Sequence, residues 1–213
     1  MKSRLDWTHA RLRRIADIAT DVREFTFETD AILGRFQPGS HINIKVETPY
    51  GPALRTYTCV HNGPRQLTVA VKRHENSRGG SAFMWQLKPK SAVEISRPEN
   101  RFELSWGAPS YLLIAGGIGI TPLAGMARVL AARGADVRMV YAARSGEHFA
   151  YGDELQSVLG DRLQLFASDE GQRIDFSREI AALPDGGEVY ACGPIRMLND
   201  LKSAWSNAGR PLS

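Results

Sequence analysis

Tyr111–Arg133 reads YLLIAGGIGITPLAGMARVLAAR, and this stretch decides the fold. Tyr111 to Ala115 is a continuous apolar run without polar alternation, the pattern of a strand buried on both faces. Gly116-Gly117-Ile118-Gly119-Ile120-Thr121-Pro122 follows as a turn. Thr121–Arg133 then has helical spacing, with Pro122 in the first turn and Gly134 just past the end. Strand, glycine turn and helix in that order make a βα unit.

Reading outward, the same rhythm continues to the C-terminus. Strands are predicted at Val137–Ala142, Leu163–Ala167 and Glu188–Cys192, and helices at Asp153–Leu159, Ser177–Leu183 and Pro194–Ala208. Residues 107–213 therefore read as an α/β domain with a parallel sheet and helices on both faces. Upstream the pattern is different. Leu12–Ile18, Val22–Phe27, His41–Val46, Leu67–Val71 and Ala92–Ser96 alternate apolar and polar residues. Turn signals separate them: Gln37-Pro38-Gly39-Ser40, Thr48-Pro49-Tyr50-Gly51-Pro52 and Asn62-Gly63-Pro64. Short strands at this spacing predict an antiparallel β-barrel over residues 1–106, interrupted by one helix at Ser81–Leu87. Gly107-Ala108-Pro109-Ser110 is the expected hinge.

Composition narrows the function. The 213 residues are 43% hydrophobic and 23% charged, which excludes disorder as the main state. Lys and Arg number 27 against 23 Asp and Glu, and the resulting charge of +4 is interspersed, so no nucleic-acid partner is expected. The most apolar run, Tyr111–Ile120, is too short to span a bilayer, and MKSRLDWTHARLRRI has no apolar segment behind its charges. No membrane association is expected, and a cytoplasmic location is. Cys59 and Cys192 are the only cysteines, too few for a plant-type [2Fe–2S] cluster or an all-cysteine zinc site. No resident metal is expected.

Three local patterns could carry chemistry. In the turn, Gly116, Gly117 and Gly119 let backbone approach a pyrophosphate at a helix N-terminus. The same glycines could equally serve close β–α packing. The turn departs from the Rossmann fingerprint at its last position, Pro122, and the second strand ends Ala142-Ala143-Arg144 without a carboxylate for a ribose. Cys192-Gly193-Pro194 ends another buried strand at the edge where α/β sheets bind ligands; a buried cysteine also serves packing alone. In the barrel, Arg55-Thr56-Tyr57-Thr58 and Arg78-Gly79-Gly80-Ser81 combine guanidinium, glycine turn and hydroxyl, as a phosphate monoester requires. Singly, Arg55 fits a surface ion pair and Tyr57 a core aromatic.

Together and in this order, the four motifs resemble the ferredoxin–NADP reductase superfamily. The chain is most similar to the phthalate dioxygenase reductase group, which includes the reductases of vanillate-demethylase-type systems. The resemblance implies that Arg55 contacts a flavin phosphate, Thr56 and Tyr57 line the flavin, and Tyr57 stacks on its ring. Thr58, where the family usually has Ser, would set a hydroxyl near flavin N5. Val71 and Lys72 would line the ring edge, and Arg78, Gly79, Gly80 and Ser81 would cradle the phosphate. It implies FMN rather than FAD, since no aromatic platform for an adenosine half is identified. In the second domain Gly116, Gly117, Gly119, Thr121 and Pro122 would carry the nicotinamide dinucleotide, with the Cys192 thiol near nicotinamide C4 and Gly193 and Pro194 shaping the corner. Arg144 could take a 2′-phosphate, yet relatives are mostly NADH enzymes, so NADH is expected over NADPH. Thr58 and Cys192 are thus the expected catalytic groups.

The activity implied is an NADH-dependent flavoprotein reductase passing electrons to a ferredoxin or [2Fe–2S] protein and a Rieske-type oxygenase. A flavin or ferric reductase serving small diffusible acceptors is the alternative enzyme, and a redox-sensing regulatory subunit the non-enzyme reading. Relatives continue past Arg210-Pro211-Leu212-Ser213 into a last strand, so the expectation is either a truncated domain or a protein that serves a separate ferredoxin.

Overall fold

The computed structural model describes residues 6–210, so the N-terminal Met1–Leu5 and the closing Pro211-Leu212-Ser213 lie outside the described residues. The chain divides into two compact units between Leu104 and Ser105.

The first unit contains β1 (Trp7–Ala19), β2 (Val22–Thr29), β3 (Ser40–Thr48), β4 (Gly51–Gly63), β5 (Gln66–Lys72), α1 (Gly80–Gln86), β6 (Ala92–Ser96) and β7 (Glu99–Asn100). The order β4-β5-β2-β1-β6-β3, closed by pairing of β3 with β4, is an antiparallel barrel, and β7 adds to the outer end of β3. Phe25, Phe27, Ile42, Ile44, Leu67, Met84 and Ile95 fill its core.

Register fixes which side chains of β4 look inward. Ile42 lies opposite Tyr57 and Ile44 opposite Arg55, whereas His41 faces Thr58 and Asn43 faces Thr56. Arg55 and Tyr57 thus share the face of two fully buried isoleucines, and both threonines share the other face. Two features depart from the sequence pattern. β4 is longer than the Arg-x-Tyr-Thr segment, because Gly51 enters the hairpin with φ +102° and pairing resumes at once. β1 shifts register between Leu12 and Arg14 and again between Asp17 and Ala19, so its alternation fails where each bulge inserts a residue.

The second unit contains β8 (Tyr111–Gly116), a 3₁₀ turn over 117–119, α2 (Ile120–Ala132), β9 (Val137–Ala143), α3 (Gly152–Leu159), β10 (Leu163–Ala167), α4 (Phe176–Ala181), β11 (Glu188–Cys192) and α5 (Ile195–Asn207). Its sheet runs β10-β9-β8-β11 with every pairing parallel. Leu112, Ile114 and Val140 on one face pack with Ile180, Leu183 and Leu201 of the α4–α5 side. Helix α2 packs against β8, β9 and β11. Asp175 caps α4 by accepting from the Arg178 N–H at 3.0 Å, which starts that helix one residue before the apolar pattern does.

The unit begins at Ser105, two residues ahead of the expected boundary, because Ser105 is bonded to its sheet. Its N–H donates to the Tyr190 hydroxyl at 2.8 Å and its hydroxyl to Glu188 Oε1 at 2.6 Å. The Tyr190 hydroxyl donates in turn to Glu188 Oε2 at 2.7 Å, and the Tyr111 hydroxyl donates to the Ser105 carbonyl at 3.2 Å. The Ala108 N–H closes on the Tyr111 hydroxyl at 3.2 Å, so the presumed hinge residues are anchored from both ends.

Arg138 of β9 forms an ion pair with Glu179 of α4, and its Nη2 also donates to the Glu179 carbonyl at 2.6 Å. The Glu179 side chain is 6% exposed, so its carboxylate is desolvated and held by Arg138, and removing it leaves the guanidinium without its counter-charge. Glu179→Ala is expected to lower unfolding stability by about 3–5 kcal/mol in urea titrations, whereas Glu154→Ala, in the more exposed pair with Arg128, should cost about 1 kcal/mol or less.

Candidate functional site

In the barrel, the turn before α1 and the strand β4 make one cradle. Gly79 has φ +93°, a left-handed backbone that glycine adopts without strain, and it turns the chain into α1. Added Cβ atoms show how tight the turn is. At Gly79 a Cβ would lie 2.6 Å from Thr48 Cβ, and at Gly80 it would lie 2.6 Å from Arg55 Nε. The Arg55 guanidinium therefore lies directly over the Gly80 backbone. It donates through Nη1 to the Leu54 carbonyl at 2.9 Å and through Nη2 to the Arg78 carbonyl at 3.3 Å. Two of its five N–H groups are used, and the charge stays at the rim. Arg78 is exposed beside it, and Ser81 is buried with its Oγ accepting from the His74 N–H at 3.4 Å.

The remaining barrel residues divide. Tyr57 packs against the barrel core, and burial pushes its phenol up to about 12 while the neighbouring Arg55 charge pulls it down less. Thr56 is exposed and donates to Asn43 Oδ1 at 2.8 Å; Thr58 stands cross-strand from His41. Val71 points into the core, and its carbonyl accepts from Trp85 Nε1 at 3.2 Å. Lys72 is held in an ion pair with Asp21 at 3.0 Å. So Arg55, Arg78, Gly79, Gly80 and Ser81 come together, while the Val71 and Lys72 side chains are committed elsewhere.

One barrel residue escaped the sequence reading. Tyr50, at the tip of the β3–β4 hairpin, is 86% exposed, and the adjoining Thr48 and Pro49 line the Gly79 turn. An exposed aromatic beside this glycine turn reads in Thr48-Pro49-Tyr50-Gly51-Pro52 only as a turn signal.

In the second unit, the β8–α2 turn meets the end of β11. A Cβ on Gly119 would lie 2.1 Å from the Cys192 carbonyl oxygen, and one on Gly193 would lie 3.0 Å from Gly116 Cα. On Gly116 it would reach 2.7 Å from both Met197 Sδ and Pro194 Cδ. These three glycines are required for the close approach of turn and corner. Gly117 differs. Nothing lies within 4 Å of where its Cβ would be, and its φ of +53° is what demands glycine.

Thr121 is buried, and its hydroxyl donates to the Ile118 carbonyl at 3.0 Å, so it braces the turn. Pro122 is buried in the first turn of α2, where its missing N–H costs no helical bond. The Cys192 thiol is half-buried and burial raises its pKa, so it is a neutral S–H. Arg144 is exposed at the end of β9, and its carbonyl accepts from the Asp169 N–H at 2.9 Å, which brings the Ser168–Glu170 turn to the same sheet edge. Tyr141 was not foreseen. It is fully buried on β9, and its hydroxyl donates to the Gly117 carbonyl at 3.2 Å. Its apolar neighbours in VRMVYA made it read as one more strand residue.

Comparison with known proteins matches both units to oxidoreductase domains. Residues 9–104 match the oxidoreductase FAD-binding domain, and residues 113–203 match the oxidoreductase NAD-binding domain. The chain is 36% identical over 203 residues to a heme-dependent oxidative N-demethylase beta subunit of Ectopseudomonas mendocina, covering 93% of this chain and 64% of that one. It is 36% identical over 194 residues to phthalate dioxygenase reductase of Burkholderia cepacia, covering 87% of this chain and 59% of the relative. A solved phthalate dioxygenase reductase, described as a modular structure for electron transfer from pyridine nucleotides to [2Fe–2S], superposes with TM-score 0.83 at 31% identity, covering 94% of this chain and 64% of that one. The chain spans less than two thirds of the length of these relatives. No described helix is long and apolar enough to cross a membrane.

Two outcomes test this geometry. Gly119→Ala is expected to destabilise the second unit by about 1–3 kcal/mol in chemical denaturation, since backbone rather than a flexible side chain must move. Alkaline stability should also fall. Burial holds both the Tyr57 phenol and the Cys59 thiol up at about 12 in the folded chain, against ordinary values of 10.0 and 9.0. Between those limits the unfolded chain releases protons that the folded chain retains, so stability is full below pH 9.0 and is lost as pH rises toward 12. Urea midpoints measured at about pH 8 and about pH 11 should decline in that order.

Proposed function

The chain belongs to the oxidoreductases that join an FAD-binding barrel to an NAD-binding α/β domain, in the group of phthalate dioxygenase reductase, and we propose that it draws electrons from NADH through a bound flavin for an iron–sulfur partner of a Rieske-type oxygenase. The observation that carries this reading is the Arg55 guanidinium lying over the Gly79–Gly80 turn with donors to spare.

That cradle fits a flavin phosphate. An Ala at position 80 would collide with the Arg55 side chain, and the unused donors of the guanidinium could form charge-assisted bonds to phosphate oxygens. Tyr57, un-ionised up to about 12, offers a neutral ring face at any physiological pH. A bound flavin supplies hydride acceptance from a nicotinamide and single-electron release to an iron–sulfur centre. The chain's own residues position and insulate. Gly117 and Gly119 would hold the pyrophosphate ahead of the N-terminus of α2, where the helix dipole favours an anion. Cys192 keeps its proton on Sγ, so it contributes a compact neutral contact at the nicotinamide end and no nucleophile.

Strands β9 and β11 flank β8 on either side, so a dinucleotide bound at this sheet edge would have Cys192 available for its nicotinamide end and Arg144 for its adenosine end. Asp169 and Glu170 at that adenosine edge supply carboxylates suited to a ribose hydroxyl and repulsive to a 2′-phosphate, which supports NADH over NADPH.

FMN is the flavin of this reading, since the phosphate cradle alone accounts for its binding. FAD is the second reading, favoured by the exposed Tyr50 ring beside the same turn, on which an adenine could stack. Heating the purified protein and identifying the released flavin separates them, with FMN expected.

Arg55→Ala should weaken flavin retention by about tenfold to a hundredfold in equilibrium titration while leaving the fold intact by circular dichroism; unchanged affinity removes Arg55 from the site. Anaerobic addition of NADH should bleach the flavin bands of the wild type within a turnover, and an iron–sulfur protein should accelerate oxidation of NADH beyond the rate with ferricyanide. Bleaching without such acceleration would instead favour a reductase of small diffusible acceptors.

A further inference from the structure

Tyr141 is a tyrosine with 0% exposure in an apolar strand, and its hydroxyl reaches the turn that follows β8. It donates to the carbonyl of Gly117 at 3.2 Å, and the Ile120 N–H bonds that same carbonyl through the 3₁₀ turn. The Tyr141 ring is itself fixed, with Phe149 packed edge-on at 5.0 Å between centroids and 78° between planes. Gly117 has φ +53° and open space around it, so sterics alone do not pin the peptide that follows. The hydrogen bonds to its oxygen do.

A trans peptide is planar, with its C=O and N–H pointing in opposite directions. Drawing the Gly117 oxygen toward the buried Tyr141 therefore turns the Ile118 N–H away from the interior, at the C-terminal edge of the sheet and just ahead of α2. An N–H held in that direction before ligand arrives binds an anion without the cost of ordering the turn. Resting on the nucleotide-binding reading above, we propose that Tyr141 is a positioning residue that presents the Ile118 N–H to the pyrophosphate of the dinucleotide. Thr121 braces the next peptide of the turn by bonding the Ile118 carbonyl, so two side chains set two consecutive peptide planes.

The test compares the full chain with its Tyr141→Phe variant, which removes one oxygen and keeps the ring and its contact with Phe149. The probe is ADP-ribose, which carries the pyrophosphate without the reacting ring, titrated by calorimetry. The variant is expected to bind about tenfold more weakly, in keeping with one oriented hydrogen bond, with KM for NADH rising by the same factor, kcat at saturation unchanged and flavin content unchanged. The Ile118 amide should exchange with solvent faster in the variant. Equal ADP-ribose affinity in both proteins overturns the proposal, as does a variant in which kcat and flavin content fall together with stability, the mark of a purely structural hydroxyl. Should Tyr141→Phe not fold, Gly117→Ala perturbs the same peptide through its φ without any new contact, and it must then weaken ADP-ribose binding or the proposal fails. A wild type that binds no ADP-ribose removes the nucleotide site itself, a result distinct from equal binding by both proteins.

Discussion

At the C-terminal edge of the parallel sheet two backbone segments touch with no side chain between them. The turn after β8 and the corner after β11 lie more than seventy residues apart in the chain, yet Gly119 sits where a Cβ would overlap the Cys192 carbonyl. The two strands are hydrogen-bonded neighbours along their whole length, from Glu188 against Tyr111 to Cys192 against Ala115. Their ends must therefore diverge within one or two residues, and glycine is what allows one helix to start beside the other. Gly116 and Gly193 meet the same demand against Met197, Pro194 and each other. This contact brings the α2 N-terminus and the Cys192 thiol to the same sheet end.

The barrel meets a comparable constraint through parity. Register on β3 sends Arg55 and Tyr57 to the face of Ile42 and Ile44, so a guanidinium and a phenol begin on the apolar side of the strand. Arg55 reaches the rim by lying across Gly80 and bonding the carbonyls of Leu54 and Arg78, which satisfies part of its donor set. Tyr57 stays with the core and remains un-ionised. The same hydrogen-bonded strand thus supplies a charge and a neutral ring within two positions of one another, a spacing that only period-two alternation gives.

Much of this was legible beforehand. The YLLIA run and the helix after it required a parallel sheet, and alternating segments with turn signals required a barrel. Glycines in the β8–α2 turn were ambiguous in the sequence between ligand approach and packing. The structure divides them, with Gly116 and Gly119 in backbone contact and Gly117 needed for its left-handed φ. The Lys72 side chain is paired with Asp21 and the Val71 side chain lies in the core, and nothing local signals a partner about fifty residues upstream. Tyr50 and Tyr141 went unnoticed for opposite reasons: one reads as a turn residue and the other as a strand residue.

Sequence alone determined the two architectures, the order in which they occur and the residues that cluster at the Arg55 and Gly116 turns. Periodicity and turn chemistry are local properties, written within a few residues of each position. Only tertiary structure decided which groups are spent on holding the fold and which remain for a ligand. Ser105 belongs to the second unit because Tyr190, Glu188 and Tyr111 bond it there, and the Gly117 carbonyl is aimed because a tyrosine on another strand reaches it. Hydrogen bonds and ion pairs between distant residues depend on strand register and packing distance, quantities that no window of sequence contains.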